Sequence, residues 1–201
     1  MIAVIDHSYS NLKSICNALG YLNLSYEVIK AENLSDNYSR AIIPGVGNFS
    51  KTMNDLIKNG GKEKIFQFSK SKKKIMGICL GMQILASLGE ESGPTIGLNL
   101  IPGSVKKIET NTNDFLPHIG WNTVKICNNH PVLNGIKDGM DFYFVHSYKF
   151  CPKSESYTIG QSFYSEQFSS IIAKENVIGF QFHPEKSQKY GLKIINNFCN
   201  W

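Results

Sequence analysis

Residues Gly77-Ile78-Cys79-Leu80-Gly81-Met82-Gln83 place a cysteine between two glycines, directly after a strand-like run, Lys74-Ile75-Met76. This is the layout of a nucleophile elbow, in which a strand turns sharply into a helix and holds the apex residue in strained geometry. Side chains two positions away on either side would collide there, so glycine is needed at both. The Cys79 thiol then stands ready to attack a carbonyl, and the backbone N–H of Leu80 can point at the resulting oxyanion. The start of a helix adds a positive dipole end that favours thiolate over thiol. A buried cysteine in a βα unit with incidental glycines would read the same way locally. A second chemical group must decide between the two.

That group lies in Gly179-Phe180-Gln181-Phe182-His183-Pro184-Glu185, where an alternating strand ends in a histidine, a proline and a carboxylate. Proline forces the preceding residue to be extended, which fixes His183 in β geometry. Positions two apart in an extended chain project to the same side, bringing Glu185 within reach of the imidazole. His183 then serves as base for the Cys79 thiol, and Glu185 fixes its tautomer and stabilises the imidazolium. His-Pro at a strand end is by itself an ordinary turn; with Cys79 it completes a Cys-His-Glu set. The remaining histidines, His7, His118, His130 and His146, have no such neighbour in sequence, and His146 reads as a hydrogen-bonded structural residue.

With these residues in place the chain resembles the class I (triad-type) glutamine amidotransferases. The stretches Pro117-His118-Ile119-Gly120-Trp121-Asn122 and His183-Pro184-Glu185-Lys186-Ser187 are most similar to the glutaminase subunits of imidazole glycerol phosphate synthase. The resemblance runs from Ile2-Ala3-Val4-Ile5-Asp6 through Pro44-Gly45-Val46-Gly47 and Tyr143-Phe144-Val145-His146-Ser147-Tyr148 to the C-terminal motif. It implies glutamine as substrate, a γ-glutamyl thioester on Cys79, and hydrolysis to glutamate and ammonia, with no cofactor or metal. Locally Pro-Gly-x-Gly is an ordinary turn; the resemblance implies instead that Val46 and Gly47 join Leu80 as oxyanion donors. It also implies that Gly45, Gln83, Ser147 and Tyr148 hold the substrate.

Free ammonia is largely protonated in neutral water, and a chain of this length seats no obvious acceptor, so a partner subunit is expected. The resemblance names a (β/α)8-barrel cyclase in a heterodimer, which would use ammonia to build an imidazole ring. Asn11, His118, Trp121 and Asn122 are the candidate interface residues, an indole beside glycine being a suitable anchor. A buried core tryptophan fits the sequence as well. Two segments depart from the family pattern. The loop Asp6-His7-Ser8-Tyr9-Ser10-Asn11 lacks the family's glycines, and Gly97-Leu98-Asn99-Leu100 has asparagine where glycine is common. Because these loops face the partner side in the family, amidation of a bacterial surface sugar stands as an alternative. A non-catalytic homologue and a stand-alone γ-glutamyl hydrolase on the same scaffold are the others.

The elements that must position this chemistry follow from periodicity. Strands are expected at Ile2 to Ile5, Tyr26 to Ile29 and Ala41 to Ile43, then at the elbow and at Ile178 to Phe182. Helices are expected from Leu12 to Leu19, Phe49 to Lys58, Glu63 to Phe68, from the elbow through Leu85, and from Tyr190 to about Asn197. Strand-like runs at Asp141 to Val145 and Ser170 to Ala173 suggest an antiparallel extension. The expected fold is an open three-layer α/β/α domain with a mainly parallel central sheet, one domain over residues 1–201. The 201 residues, 42% hydrophobic, suffice for one core. Five cysteines, widely spaced and odd in number, indicate neither a disulfide scaffold nor a zinc site. No run approaches the ~20 apolar residues of a membrane span and no leader is apparent, so a cytoplasmic protein is expected. The net charge of +5 invites a nucleic-acid reading, but the basic run Lys70 to Lys74 carries no interleaved aromatics and reads as a solvated helix end.

Overall fold

The structure, a computed structural model, describes residues 1–7, 11–110 and 114–201. In chain order the strands are β1 (Ile2–Asp6), β2 (Tyr26–Lys30), β3 (Arg40–Ile43), β4 (Lys74–Ile78), β5 (Leu88–Gly89), β6 (Thr95–Ile96) and β7 (Gly103–Lys107). They continue as β8 (His118–Ile126), β9 (Met140–His146), β10 (Tyr148–Pro152), β11 (Thr158–Tyr164), β12 (Glu166–Lys174) and β13 (Val177–Phe180). The α-helices are α1 (Leu12–Tyr21), α2 (Phe49–Lys58), α3 (Gly61–Lys70), α4 (Leu80–Gln83) and α5 (Gln188–Asn200).

Strands β2, β1, β3, β4 and β13 lie side by side and parallel. Alternate residues of β1 enter opposite cores: Ala3 and Ile5 join Met53, Leu56 and Ile65 of α2 and α3, whereas Ile2 and Val4 join Ile15 and Leu19 of α1 and Ile194 and Phe198 of α5. Burial on both faces explains why these strands read as unbroken apolar runs. The result is three layers. Beyond β13 the sheet turns antiparallel through β12, β10 and β7, and β11, β8 and β9 branch from β12. The antiparallel region therefore contains more strands than the two short runs expected.

The helix after the elbow is shorter than expected, ending at Gln83 rather than Leu85. The carbonyls of Ile84, Leu85 and Ala86 accept instead from the N–H groups of Leu98, Leu100 and Asn99, at 2.8, 2.9 and 2.9 Å. That loop captures groups a longer helix would have used. Asn99, noted above where the family has glycine, has a φ of +53°, a left-handed conformation that asparagine tolerates better than most side chains. Among the described residues no helix is long and apolar enough to cross a membrane.

Candidate active site

Cys79 sits between β4 and α4 at φ 53° and ψ −109°, a conformation costing about 1–3 kcal/mol that the surroundings must hold. They do so by contact. The Cys79 N–H donates to the Phe180 carbonyl at 2.7 Å, tying the elbow to β13. A Cβ at Gly77 would stand 2.5 Å from the Gly81 carbonyl oxygen, and one at Gly81 only 1.7 Å from that of Ile43. The first glycine thus answers to the turn itself, and the second to close packing of the elbow on β3. With four residues, α4 is too short for a developed macrodipole. The expected helix-start stabilisation of the thiolate is correspondingly small.

His183 follows β13 in extended geometry, φ −98° and ψ 94°, and Pro184 to Lys186 form a single 3-10 turn. It is this turn, rather than a continued strand, that brings Glu185 back. His183 Nδ1 lies 2.8 Å from Glu185 Oε1, with both side chains almost fully enclosed. The Nδ1 proton is donated to the carboxylate, which leaves Nε2, otherwise without a hydrogen-bond partner, for the cysteine. Ser187 holds the turn: its hydroxyl donates to the His183 carbonyl at 2.7 Å and accepts the Tyr143 N–H at 3.0 Å. Burial works against an imidazolium here, but the charge and hydrogen bonding of Cys79, followed by those of Glu185, outweigh it and raise the His183 pKa to about 10. An imidazolium at His183 is thus favoured whenever the cysteine carries negative charge.

A cavity of about 250 Å³ opens at Cys79 and is walled by Val46, Gly47, Leu80, Gln83, Ser147 and Tyr148. Gly45 is not on that wall. Its carbonyl accepts the Leu80 N–H at 3.3 Å, so the donor expected to face an oxyanion is occupied by the glycine loop itself. Glu91 also lines the cavity; one of its carboxylate oxygens takes the Phe49 N–H at 2.7 Å, at the start of α2. Sequence reasoning missed Glu91, which lies in the polar turn between β5 and β6 and carries no local signal. It missed Gln181 as well. That residue is fully buried, with Nε2 3.8 Å from Cys79 Sγ. The period-two argument used for Glu185, applied two residues upstream of His183, points to it. A larger cavity of about 570 Å³ lies beside His130 and Leu133, with no cysteine or carboxylate on its wall.

The candidate interface residues separate. His118 is buried, stacked on Phe144 and Tyr164, so its side chain is not available for docking. Trp121 is half exposed with its edge to Tyr143, and Ile119 beside it is 60% exposed. Asn122 is half-buried and donates to the Phe163 carbonyl. Asn11 stands just before α1 with no side-chain capping bond, and Ser8, Tyr9 and Ser10 of the departing loop lie outside the described residues.

A strained cysteine elbow and an enclosed His-Glu pair thus meet on a parallel sheet between helical layers. Comparison with known proteins identifies the family. Residues 3–200 match the profile of the family Glutamine amidotransferase class-I. The chain is 44% identical over 200 residues to the imidazole glycerol phosphate synthase subunit HisH of Methanocaldococcus jannaschii, covering 98% of each protein. It is 38% identical to the HisH subunit of Wolinella succinogenes, covering 99% of this chain and 98% of that one. Among solved structures it superimposes on PurLQS from Thermotoga maritima with a TM-score of 0.78 at 18% identity, covering 99% of this chain and 97% of that one. A glutamine amidotransferase crystal structure gives 0.77 at 13% identity, over 100% and 98% of the two chains. The chain belongs to the class-I glutamine amidotransferases and, within them, to the HisH family.

Proposed function

We propose that the protein is the glutaminase subunit of an imidazole glycerol phosphate synthase, hydrolysing glutamine through Cys79, His183 and Glu185 and passing ammonia to a (β/α)8-barrel cyclase. The observation that carries this reading is the His183–Glu185 pair, enclosed beside the strained Cys79 at the wall of an amino-acid-sized cavity.

The chemistry follows from the geometry. Cys79 gives its proton to His183 Nε2, and the thiolate attacks the γ-carbonyl carbon of glutamine. The tetrahedral oxyanion collapses as His183 returns the proton to the departing nitrogen, leaving a γ-glutamyl thioester and ammonia. Water, deprotonated by His183, then releases glutamate. Glu185 keeps the imidazole in its Nδ1–H tautomer and balances its charge during both steps. The Glu91 carboxylate suits the substrate α-ammonium. Gln83 spends its amide N–H groups on the carbonyl of Tyr148 and on Gln181 Oε1, so its carbonyl oxygen is the end suited to that same ammonium. Ser147 and Tyr148, at the entry to β10, also line the cavity and suit the α-carboxylate.

The Gly45 carbonyl on the Leu80 N–H makes this a resting arrangement. Rotation of the Gly45–Val46 peptide would free the Leu80 donor and turn the Val46 N–H toward the same point. The test assays the chain alone, with a cyclase partner, and with partner plus acceptor analogue. Hydrolysis is expected to rise at each step, and Cys79→Ala is expected to abolish glutamine-dependent turnover while added ammonium salt still supports the cyclase. Equal rates in all three conditions would favour a stand-alone hydrolase. Glutamine-dependent turnover in the Cys79→Ala complex would remove Cys79 from the mechanism.

A further inference from the structure

Gln181 is fully buried one residue past β13, and the mechanism above gives it no part. Its orientation follows from counting donors and acceptors inward from the surface. Asn122 Nδ2 donates to the Phe163 carbonyl at 2.9 Å and to His118 Nε2 at 3.2 Å, so that ring nitrogen carries no proton. The His118 proton is therefore on Nδ1, which donates to His146 Nε2 at 3.0 Å. His146 in turn keeps its proton on Nδ1 and donates to the Tyr148 carbonyl at 2.9 Å. This alternation requires both rings to be neutral. Burial keeps them so, lowering the His118 pKa to about 4 and the His146 pKa to about 3.

The Tyr148 carbonyl can only accept, and it also takes Gln83 Nε2 at 3.0 Å, which fixes which end of the Gln83 amide is nitrogen. The second proton of that nitrogen goes to Gln181 Oε1 at 3.1 Å. Gln181 is thereby left with Nε2 toward Cys79 Sγ, at 3.8 Å. The sulfur thus has neighbours with opposite preferences. The Val145 carbonyl, 3.6 Å away, accepts the S–H of the thiol and gains nothing from a thiolate. The Gln181 amide can only donate, so it gains when the proton has left.

We propose that Gln181 is a positioning residue for the nucleophile: its amide, oriented through Gln83 by the Tyr148 carbonyl, stabilises and aims the Cys79 thiolate once the proton has passed to His183 Nε2. The sulfur then carries the negative charge, the imidazolium the positive one, and Glu185 balances the latter. This rests on the reading of Cys79 as the nucleophile, and the experiment separates the two ideas.

The full-length chain is treated with iodoacetamide across a pH series, and alkylation of the Cys79 peptide is followed by mass spectrometry in wild type, Gln181→Met and Gln181→Glu. Methionine keeps the bulk and removes the donor; glutamate replaces the donor with a carboxyl group. A lost donor is expected to raise the alkylation midpoint by about one pH unit, a tenfold slower reaction on the acid side of the midpoint, with a larger rise in Gln181→Glu. A purely structural glutamine would alter melting temperature and leave the midpoint in place. An unmoved midpoint in either folded variant overturns the proposal. If the Cys79 peptide in wild type reacts no faster than exposed Cys127, the nucleophile assignment fails first, and the proposal with it.

Discussion

His183 is enclosed enough that burial alone would keep it neutral, yet Cys79 and Glu185 hold its proton up to about pH 10. The folded-state value lies above the unfolded value of about 6.5. The stability contributed by this proton is therefore complete below about pH 6.5 and is lost as pH rises through about 10. Turnover is expected to follow the same group. The alkaline limb of kcat/KM should fall near pH 10, and Glu185→Gln, which removes one of the raising charges, should move that limb downward and lower kcat. The pH–rate profiles of the two proteins check this; a wild-type limb near 6.5 would mean that the thiolate–imidazolium pair is not preformed. His146 is driven in the opposite direction by burial, with no carboxylate hydrogen-bonded to it to offset the cost of a charge. Environment, not residue type, separates the two histidines.

Two short elements carry the catalytic geometry, the elbow between β4 and α4 and the glycine loop after β3. They are packed on one another. A Cβ at Gly45 would meet Leu80 Cβ at 3.0 Å, the Gly81 nitrogen at 3.1 Å and the His7 ring at 3.3 Å. His7 also bonds the neighbouring Pro44 carbonyl at 2.5 Å, so the peptide before Gly45 is anchored, while the peptide after it is held, among the described residues, by a 3.3 Å bond to Leu80. Any rotation is therefore expected at the Gly45–Val46 peptide. Val46→Pro removes the N–H that this rotation would deliver, and it is expected to lower partner-stimulated kcat by about 10²–10³ with little change in KM. An unaltered kcat in steady-state assays would assign the oxyanion to other donors.

Across the whole molecule the antiparallel strands form a second working surface. Ile119, Trp121 and Phe163 are exposed on β8 and β11, and Phe115 precedes β8 with 80% of its surface open. Exposed apolar side chains of this kind are the ones expected to meet a partner. Trp121 is the best placed anchor, since it is held edge-on by Tyr143 while half of it remains open. Trp121→Ala is expected to weaken cyclase binding by about 2 kcal/mol, about thirtyfold in Kd, measured by titration calorimetry. An unchanged Kd would move the interface elsewhere. The same strands bear the hydrogen-bonded chain from Asn122 through His118 and His146 to the Tyr148 carbonyl.

The elbow, the extended backbone of His183 and the parallel half of the sheet were legible in the sequence because each depends on backbone restrictions a few residues long, whereas the 3-10 turn that carries Glu185 back was read as extended chain. Glycine at 77 and 81, proline at 184 and unbroken apolar runs impose local geometry wherever they occur. Other features have no such local cause. Gln181, Gln83, Tyr148, His146 and His118 are bound together from four separated stretches of chain, Glu91 reaches the cavity from a polar turn, and His118 is buried in a motif that reads as exposed. The Gly45 carbonyl on the Leu80 N–H is likewise a contact between loops, as is the capture of carbonyls that ends α4 at Gln83. Residue types fixed which groups could react. Only the packing of distant strands decided which donor met which acceptor, because a hydrogen bond's direction depends on every other partner its groups have found.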